Sequence, residues 1–208
     1  KKLGSLTLLI SLISLTIALI YRGIALQFFP ISNLYESLVI FAWAIIAAYL
    51  FLEWKYKIDS MGWVVTAFAL AVFLYATWLP ANQKDIAPLV PALQSYWRTI
   101  HVPPLLVSYA LFLIGAISSA GYLIETTFIT RTKEEKKTIT KEVGGVKISS
   151  TIREVSPRAT FFDEVTYRCI TFGFPLLTIG VINGALWANH AWGALWQWDP
   201  KETMALVT

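Results

Sequence analysis

The sequence has very little cysteine, histidine and charge, and each shortage excludes a class of protein. Cys169 is the only cysteine in 208 residues, so a disulfide-stabilised scaffold is excluded. One cysteine and two histidines also exclude a zinc site of the Cys/His type. Charged residues make up 14% of the chain, against about 25% in soluble domains, and 56% are hydrophobic. These values exclude a disordered chain and indicate an integral membrane protein.

The hydrophobic residues are gathered into five runs of about the length that crosses a bilayer, roughly 18 residues or more. They predict transmembrane helices at about 3–21, 34–52, 61–79, 102–124 and 170–186. Asp199, Pro200 and Glu202 have the spacing of a helix-capping box, and the apolar residues after them predict the start of a sixth span. We therefore expect an all-α, polytopic transmembrane helical bundle. We also expect the chain to be a piece of a longer protein.

The distribution of Lys and Arg predicts the orientation of this bundle. A net charge of +4 would suit nucleic-acid binding in a soluble protein, but in a membrane protein an excess of Lys and Arg marks the cytoplasmic side. With the N-terminus inside, thirteen of the 17 Lys and Arg fall on inner segments, most of them in an inner loop at 125–169. The other four lie outside: Arg22, Lys84, Arg98 and Lys201. The loop at 80–101 and the segment 187–202 are thus predicted on the outer face.

Within the inner loop, residues 138–151 alternate polar and apolar side chains around Gly144 and Gly145. This alternation is typical of a small β-hairpin with a two-residue turn. A solvated tether between the fourth and fifth spans explains the composition equally well, so both interpretations stay open here.

A dense group of tryptophans stands in the predicted outer segment: Trp187, Trp192, Trp196 and Trp198. An aromatic belt at the membrane interface explains dispersed tryptophans near span ends, such as Trp54, Trp63 and Trp78. It explains a dense group less well. Trp192 and Trp196 would share one face of a helix, and Gly193 would let a flat ligand approach the backbone between them. A belt and a platform for a planar apolar molecule both remain open on this pattern.

Three elements of the sequence resemble one known family. Residues 187–203 (WANHAWGALWQWDPKET) closely resemble the tryptophan-rich "WWD" signature of the haem-handling proteins of cytochrome c biogenesis, which include the related CcmC and CcmF proteins. They are most similar to the CcsA branch. Residues 32–38 (SNLYESL) and 101–110 (HVPPLLVSYA) are similar to elements of the same branch, in the same order. His190 and Met204 depart from it, since a polar residue and an aromatic residue are more common at those positions.

The resemblance implies a function in haem attachment. The chain would be the haem delivery subunit of a membrane cytochrome c synthase, which holds haem b at the outer face and presents it to apocytochrome c. The vinyl groups then form thioethers with the Cys-x-x-Cys-His thiols of the acceptor. A CcsB-type membrane partner is implied, with no nucleic acid. The implied location is a bacterial cytoplasmic membrane or a plastid thylakoid membrane.

The resemblance also implies site residues. His101 matches the first of two outward histidines and is the expected axial ligand of the haem iron. The second would follow the WWD segment, beyond Thr208. The residues of the WWD segment expected at the haem are Trp187, Trp192, Trp196, Trp198 and Asp199. His190 is expected at the rim, and Asp199, like Glu36, is also well explained as part of a helix cap.

The residues themselves support the assignment of His101. A lone histidine at a helix end more often caps the helix than binds a metal, but the charge count places His101 on the same side as the tryptophans. A neutral imidazole is a good ligand for haem iron. The anionic propionates need cations, and the outward candidates are Arg22, Arg98 and Lys201. Arg98 lies three residues before His101, and anchoring to lipid headgroups explains it equally well.

Two other functions stay open on the residues alone. A haem-containing electron-transfer membrane protein would need histidine pairs inside the spans, and the five predicted spans contain none. A solute transporter with an aromatic belt is the second. The chain has no Ser/His/Asp or paired-carboxylate constellation of a conventional enzyme, so whether it counts as an enzyme is left undecided.

Overall fold

A computed structural model of the chain describes residues 2–58, 61–85, 94–129, 137–143, 146–152 and 156–207. Its long helices are α1 (Lys2–Leu26), α2 (Leu34–Tyr56), α3 (Gly62–Trp78), α4 (Trp97–Ile124) and α5 (Pro157–Trp192). Shorter elements are a 3₁₀ turn (Ala81–Gln83), a π-helical turn (Glu125–Ile129) and α6 (Pro200–Val207). The predicted helical membrane bundle is confirmed. Helices α1, α2, α4 and α5 are long and apolar enough to cross a membrane, and α3 is a shorter apolar helix of 17 residues.

Helix α5 is longer than the sequence indicates. It begins at Pro157 rather than near residue 170, because Ser156 caps it: the Ser156 hydroxyl oxygen accepts a hydrogen bond from the Ala159 amide at 3.1 Å. The last part of the predicted inner loop is therefore helical. Helix α5 has 36 residues and extends over about 54 Å, which is more than the roughly 30 Å hydrocarbon core of a bilayer. The helix therefore reaches beyond the membrane.

A hairpin lies between α4 and α5. Strands β1 (Lys137–Val143) and β2 (Val146–Ile152) pair antiparallel, with Val143 opposite Val146. This register is the one that the alternation of residues 138–151 predicts, and it favours the hairpin over the tether. The turn residues Gly144 and Gly145 lie outside the described residues.

Helices α4 and α5 pack closely because each helix has a glycine opposite a large side chain of the other helix. A Cβ at Gly121 would lie 2.9 Å from the Phe162 ring, and one at Gly173 would lie 2.7 Å from the Phe112 ring. The Ser118 hydroxyl also donates to the Phe162 carbonyl across the interface at 2.8 Å. This close pairing fixes the register of the two helices and brings the first turns of α4 against the last turns of α5.

Candidate functional site

His101 stands in the second turn of α4 and packs against α5. Its Nδ1 lies 2.7 Å from the carbonyl oxygen of Gly180, and its ring is 5.8 Å from that of Trp187 between centroids. Because a carbonyl can only accept, Nδ1 carries the hydrogen and donates it. In the neutral imidazole, the lone pair is then on Nε2. A histidine ligand held through its other nitrogen is the usual arrangement in metal sites, so the donor set fits haem iron.

Two glycines of α5 contact this histidine, each in a different way. Gly180 supplies the carbonyl, and Gly184, one turn later, lies beneath the ring. A Cβ at Gly184 would come within 2.6 Å of His101 Cε1 and 2.8 Å of Nδ1. Any larger residue at 184 would therefore displace the imidazole. Neither glycine was expected at the site from the sequence, although their four-residue spacing is a known signal of close helix packing.

We expect Gly184→Ala to impair function through His101 alone. The added methyl group forces the imidazole away from the Gly180 carbonyl. The cytochrome c maturation that the sequence resemblance implies should therefore fall at least about tenfold while the helix itself is kept. Gly4→Ala is the matched control, since a Cβ at Gly4 meets nothing within 4 Å. Maturation is measured as covalently bound haem in the acceptor cytochrome. Normal maturation by Gly184→Ala would contradict the importance of this packing.

The tryptophan-rich segment is not the continuous helical face that the sequence predicts. Helix α5 ends at Trp192, and Gly193 follows in the left-handed conformation at φ 76°, with its amide bonded to the Asn189 carbonyl at 2.9 Å. Trp192 and Trp196 therefore do not share a helical face, and that expectation is wrong. A Cβ at Gly193 would meet nothing within 4 Å, so no neighbouring group requires a glycine here. The left-handed backbone conformation is what favours glycine at this position.

After the helix, the segment turns and leads into α6. The rings of Trp196 and Trp198 meet edge to face, with centroids 5.9 Å apart. Trp192 and Trp198 are 62% and 70% exposed, so large aromatic surfaces are available to a ligand or to lipid. Trp198 has a φ of 59°, which is unusual for a bulky residue and costs on the order of 1–3 kcal/mol. Such strain is typical of functional segments.

Asp199 caps α6 as expected. Its Oδ1 accepts from the Glu202 amide at 2.7 Å, and the Glu202 carboxylate accepts from the Gln197 amide at 2.6 Å. The predicted capping box is confirmed, and the local role of Asp199 is structural. His190 is exposed in the last turn of α5, and its assignment to the rim stays a prediction.

The cations that the sequence predicts on the outer face differ in their surroundings. Arg22 is engaged: its Nε contacts Glu36 Oε1 at 2.8 Å and its Nη2 donates to the Lys84 carbonyl at 2.6 Å. Lys201 is exposed in the first turn of α6. Arg98 is buried, with its guanidinium 5.0 Å from the centre of the Phe28 ring. Of these three candidates for the propionates, Arg22 is already paired within the protein.

Glu36 is the centre of a buried polar network at the start of α2. Its amide donates to Asn33 Oδ1 at 2.9 Å, which confirms the predicted cap. The carboxylate, fully buried, also accepts from the amide and hydroxyl of Ser32, both at 2.6 Å, and pairs with Arg22. The cap is recognisable from the sequence, whereas the ion pair is not, because it joins residues on two different helices. Among the described residues, no cluster of His, Cys, Asp and Glu is suited to a metal ion.

Fold and site together define a polytopic helical membrane protein. Its tryptophan-rich segment lies at the end of α5, the helix whose Gly180 carbonyl accepts the hydrogen bond from His101. A family model described as "Cytochrome C assembly protein" matches residues 31–208. The chain is 38% identical over 206 residues to the cytochrome c biogenesis protein CcsA of Guillardia theta, with 96% of this chain and 67% of the relative covered. It is 39% identical to the CcsA protein of Pyropia yezoensis, with 100% of this chain and 72% of the relative covered. It is 37% identical to the CcsA protein of Microcystis aeruginosa, with 99% of this chain and 72% of the relative covered. The chain belongs to the CcsA-type cytochrome c assembly protein family.

Proposed function

We propose that this chain acts in cytochrome c maturation as the haem delivery and attachment subunit of a membrane cytochrome c synthase. Family membership supports the role in maturation. The observation that supports haem binding is the His101 geometry: Nδ1 donates to Gly180, which leaves Nε2 for iron. His190 is the only other histidine of the chain and is assigned to the rim. The second axial ligand is therefore assigned to a histidine outside these 208 residues.

The covalent attachment of haem requires little chemical catalysis from the protein. A reduced thiol of the Cys-x-x-Cys-His acceptor adds across a vinyl group of haem b: the sulfur–carbon bond forms, and the thiol hydrogen goes to the neighbouring carbon. No oxidant is consumed. The task of this chain is to hold the haem edge near the two thiols, which is catalysis by positioning. The partners we propose are a CcsB-type membrane subunit and apocytochrome c. With one axial ligand, the 208-residue chain alone is expected to hold haem weakly.

The tryptophan platform is a proposal with a direct test. Trp192 and Trp196 should each contribute about 1–2 kcal/mol of stacking on the porphyrin, so replacing both by alanine should lower haem affinity by roughly tenfold or more. Haem that co-purifies with the protein is measured by absorption. Trp54→Ala with Trp63→Ala is the matched control, because these residues are 80% and 77% exposed in other parts of the chain. Equal haem content in the two double variants would identify the segment as an interfacial belt.

The outer placement of this site, in a bacterial or thylakoid membrane, is also part of the proposal. Cysteines introduced at Lys84 and Lys137 should label oppositely with an impermeant thiol reagent on intact cells, with position 84 reactive and position 137 protected. The unmodified chain is the control, since its single thiol, Cys169, is buried. Labelling of both positions to the same extent would contradict the orientation.

A further inference from the structure

Glu202 makes a hydrogen bond that the capping box of α6 does not require. In a capping box, the glutamate at the third helical position accepts from the amide of the N-cap residue, which here is Asp199. That contact is present but long, at 3.4 Å between the Asp199 nitrogen and Glu202 Oε2. The same oxygen accepts a much shorter hydrogen bond, at 2.6 Å, from the amide of Gln197, two residues before the cap. Capping of α6 leaves this second bond unexplained.

The two amides that meet at Glu202 stand on either side of Trp198. Backbone amides two residues apart converge on one acceptor where the chain between them turns back, and a left-handed residue produces such a concave pair of donors. Trp198 has that conformation, with φ at 59°. Concavities of this kind bind anions. Here the anion is a carboxylate of the same chain.

The conformation of Trp198 decides the direction of its indole. A bulky residue at positive φ is strained and persists there when the surrounding structure holds it. The side chain is exposed, so packing restrains it little. Its ring meets that of Trp196 edge to face, at an interplanar angle of 87°. The hydrogen bonds from both neighbouring amides to Glu202 therefore supply the restraint that this backbone conformation requires.

We propose that Glu202 is a positioning residue of the tryptophan-rich segment: its carboxylate keeps Trp198 at positive φ and so aims Trp196 and Trp198 together at the haem. The inference rests on the proposed haem function, because a planar ligand is what such a surface would meet. Glu202 acts through Trp198 and makes no contact with the haem itself. It transfers no proton, so an acceptor oxygen at this position is needed and a negative charge is not.

Two substitutions at Glu202 separate positioning from a direct effect of its charge. Glu202→Ala removes the acceptor for both amides, whereas Glu202→Gln removes the charge and keeps a carbonyl oxygen that accepts from Gln197. Thr203→Val is the matched control for the start of α6. It removes a hydrogen bond of 2.9 Å from the Thr203 hydroxyl to the Asp199 carbonyl and leaves the amides beside Trp198 unchanged. Each protein is purified with its proposed partner subunit and titrated with haem, and binding is followed by absorption.

Haem affinity should fall about three- to tenfold in Glu202→Ala, and by less than about twofold in Glu202→Gln and Thr203→Val. In a Trp198→Ala protein, Glu202→Ala should have less than about a twofold further effect, because the side chain that it positions is already absent. In a Trp192→Ala protein the full effect should remain, since Trp192 lies on α5. An equal loss in Glu202→Ala and Glu202→Gln would overturn the proposal in favour of a charge effect. A full effect of Glu202→Ala in the Trp198→Ala protein would also overturn it.

A second measurement needs no haem. Two indoles in contact couple electronically and give paired bands of opposite sign in ultraviolet circular dichroism. The difference between the unmodified protein and Trp196→Phe defines this signal, which Glu202→Ala should lose and Glu202→Gln should keep. If the unmodified protein bound no haem, the proposed function would fail, and this signal would still decide the role of Glu202. Persistence of the signal in Glu202→Ala would overturn the proposal. If Glu202→Ala does not fold, Glu202→Asp takes its place, because its carboxylate is one methylene too short to reach Gln197.

Discussion

Replacement of His101 by glycine should abolish cytochrome c maturation, and imidazole added to the medium should restore part of it. The substitution removes the only histidine of α4, whose ring packs against Trp187, and leaves a space of imidazole size against Gly180 and Gly184. Exogenous imidazole is able to enter that space and to bind iron in place of the side chain. The measurement is covalent haem in the acceptor cytochrome, in cells that contain the proposed partner subunit.

The matched control is His190→Gly. His190 is exposed at the end of α5 and is assigned to the rim, so its loss should cost much less, within a few-fold of normal maturation. Imidazole should have no effect on that variant. Full maturation by His101→Gly without imidazole would refute the ligand assignment, and so would an equal loss in His190→Gly.

The largest effect on stability is expected at Glu36. Glu36→Ala leaves Arg22 without its ion-pair partner and Ser32 without the acceptor for two hydrogen bonds, in a place where the carboxylate is fully buried. Loss of one member of a buried pair costs about 3–5 kcal/mol. Tryptophan fluorescence of the detergent-purified protein on heating should show a Tm lower by roughly 10 °C.

A surface pair provides the comparison. Glu164 and Arg168 form an i,i+4 ion pair on α5 and are both partly exposed, so Glu164→Ala should cost no more than about 0.5 kcal/mol. Glu36→Gln keeps an acceptor for Ser32 and loses only the charge, and its effect should lie between the two. If Glu36→Ala were no more harmful than Glu164→Ala, the buried network would have no stabilising role.

The parts of the fold with local signals were predicted well. Helix α2 begins at Leu34, as expected, because Asn33 caps it and the apolar run starts there. The start of α5 was missed because its first turns are polar, and hydropathy alone does not distinguish a polar helix from a loop. The sequence does hold a local signal at that point, Ser156 followed by Pro157, which is a known start of a helix.

The sequence predicts which residues form the candidate site better than it predicts how they are arranged. His101 and the tryptophans are recognisable from the sequence, but the bond from His101 to Gly180 joins residues 79 positions apart, and no local pattern carries it. The helical face assumed for Trp192 and Trp196 was wrong because Gly193 ends the helix. A glycine in the left-handed conformation commonly ends a helix, so Gly193 is a local signal for the end of α5 at Trp192.

The absorption spectrum of the protein, purified with its proposed partner subunit, shows whether His101 binds the haem iron. A haem spectrum is expected in the unmodified protein. His101→Gly should lose haem or show a shifted Soret band, and the original spectrum should return when imidazole is added to the purified protein. The same haem content and the same Soret position in both proteins, with no response to imidazole, would contradict iron binding by His101.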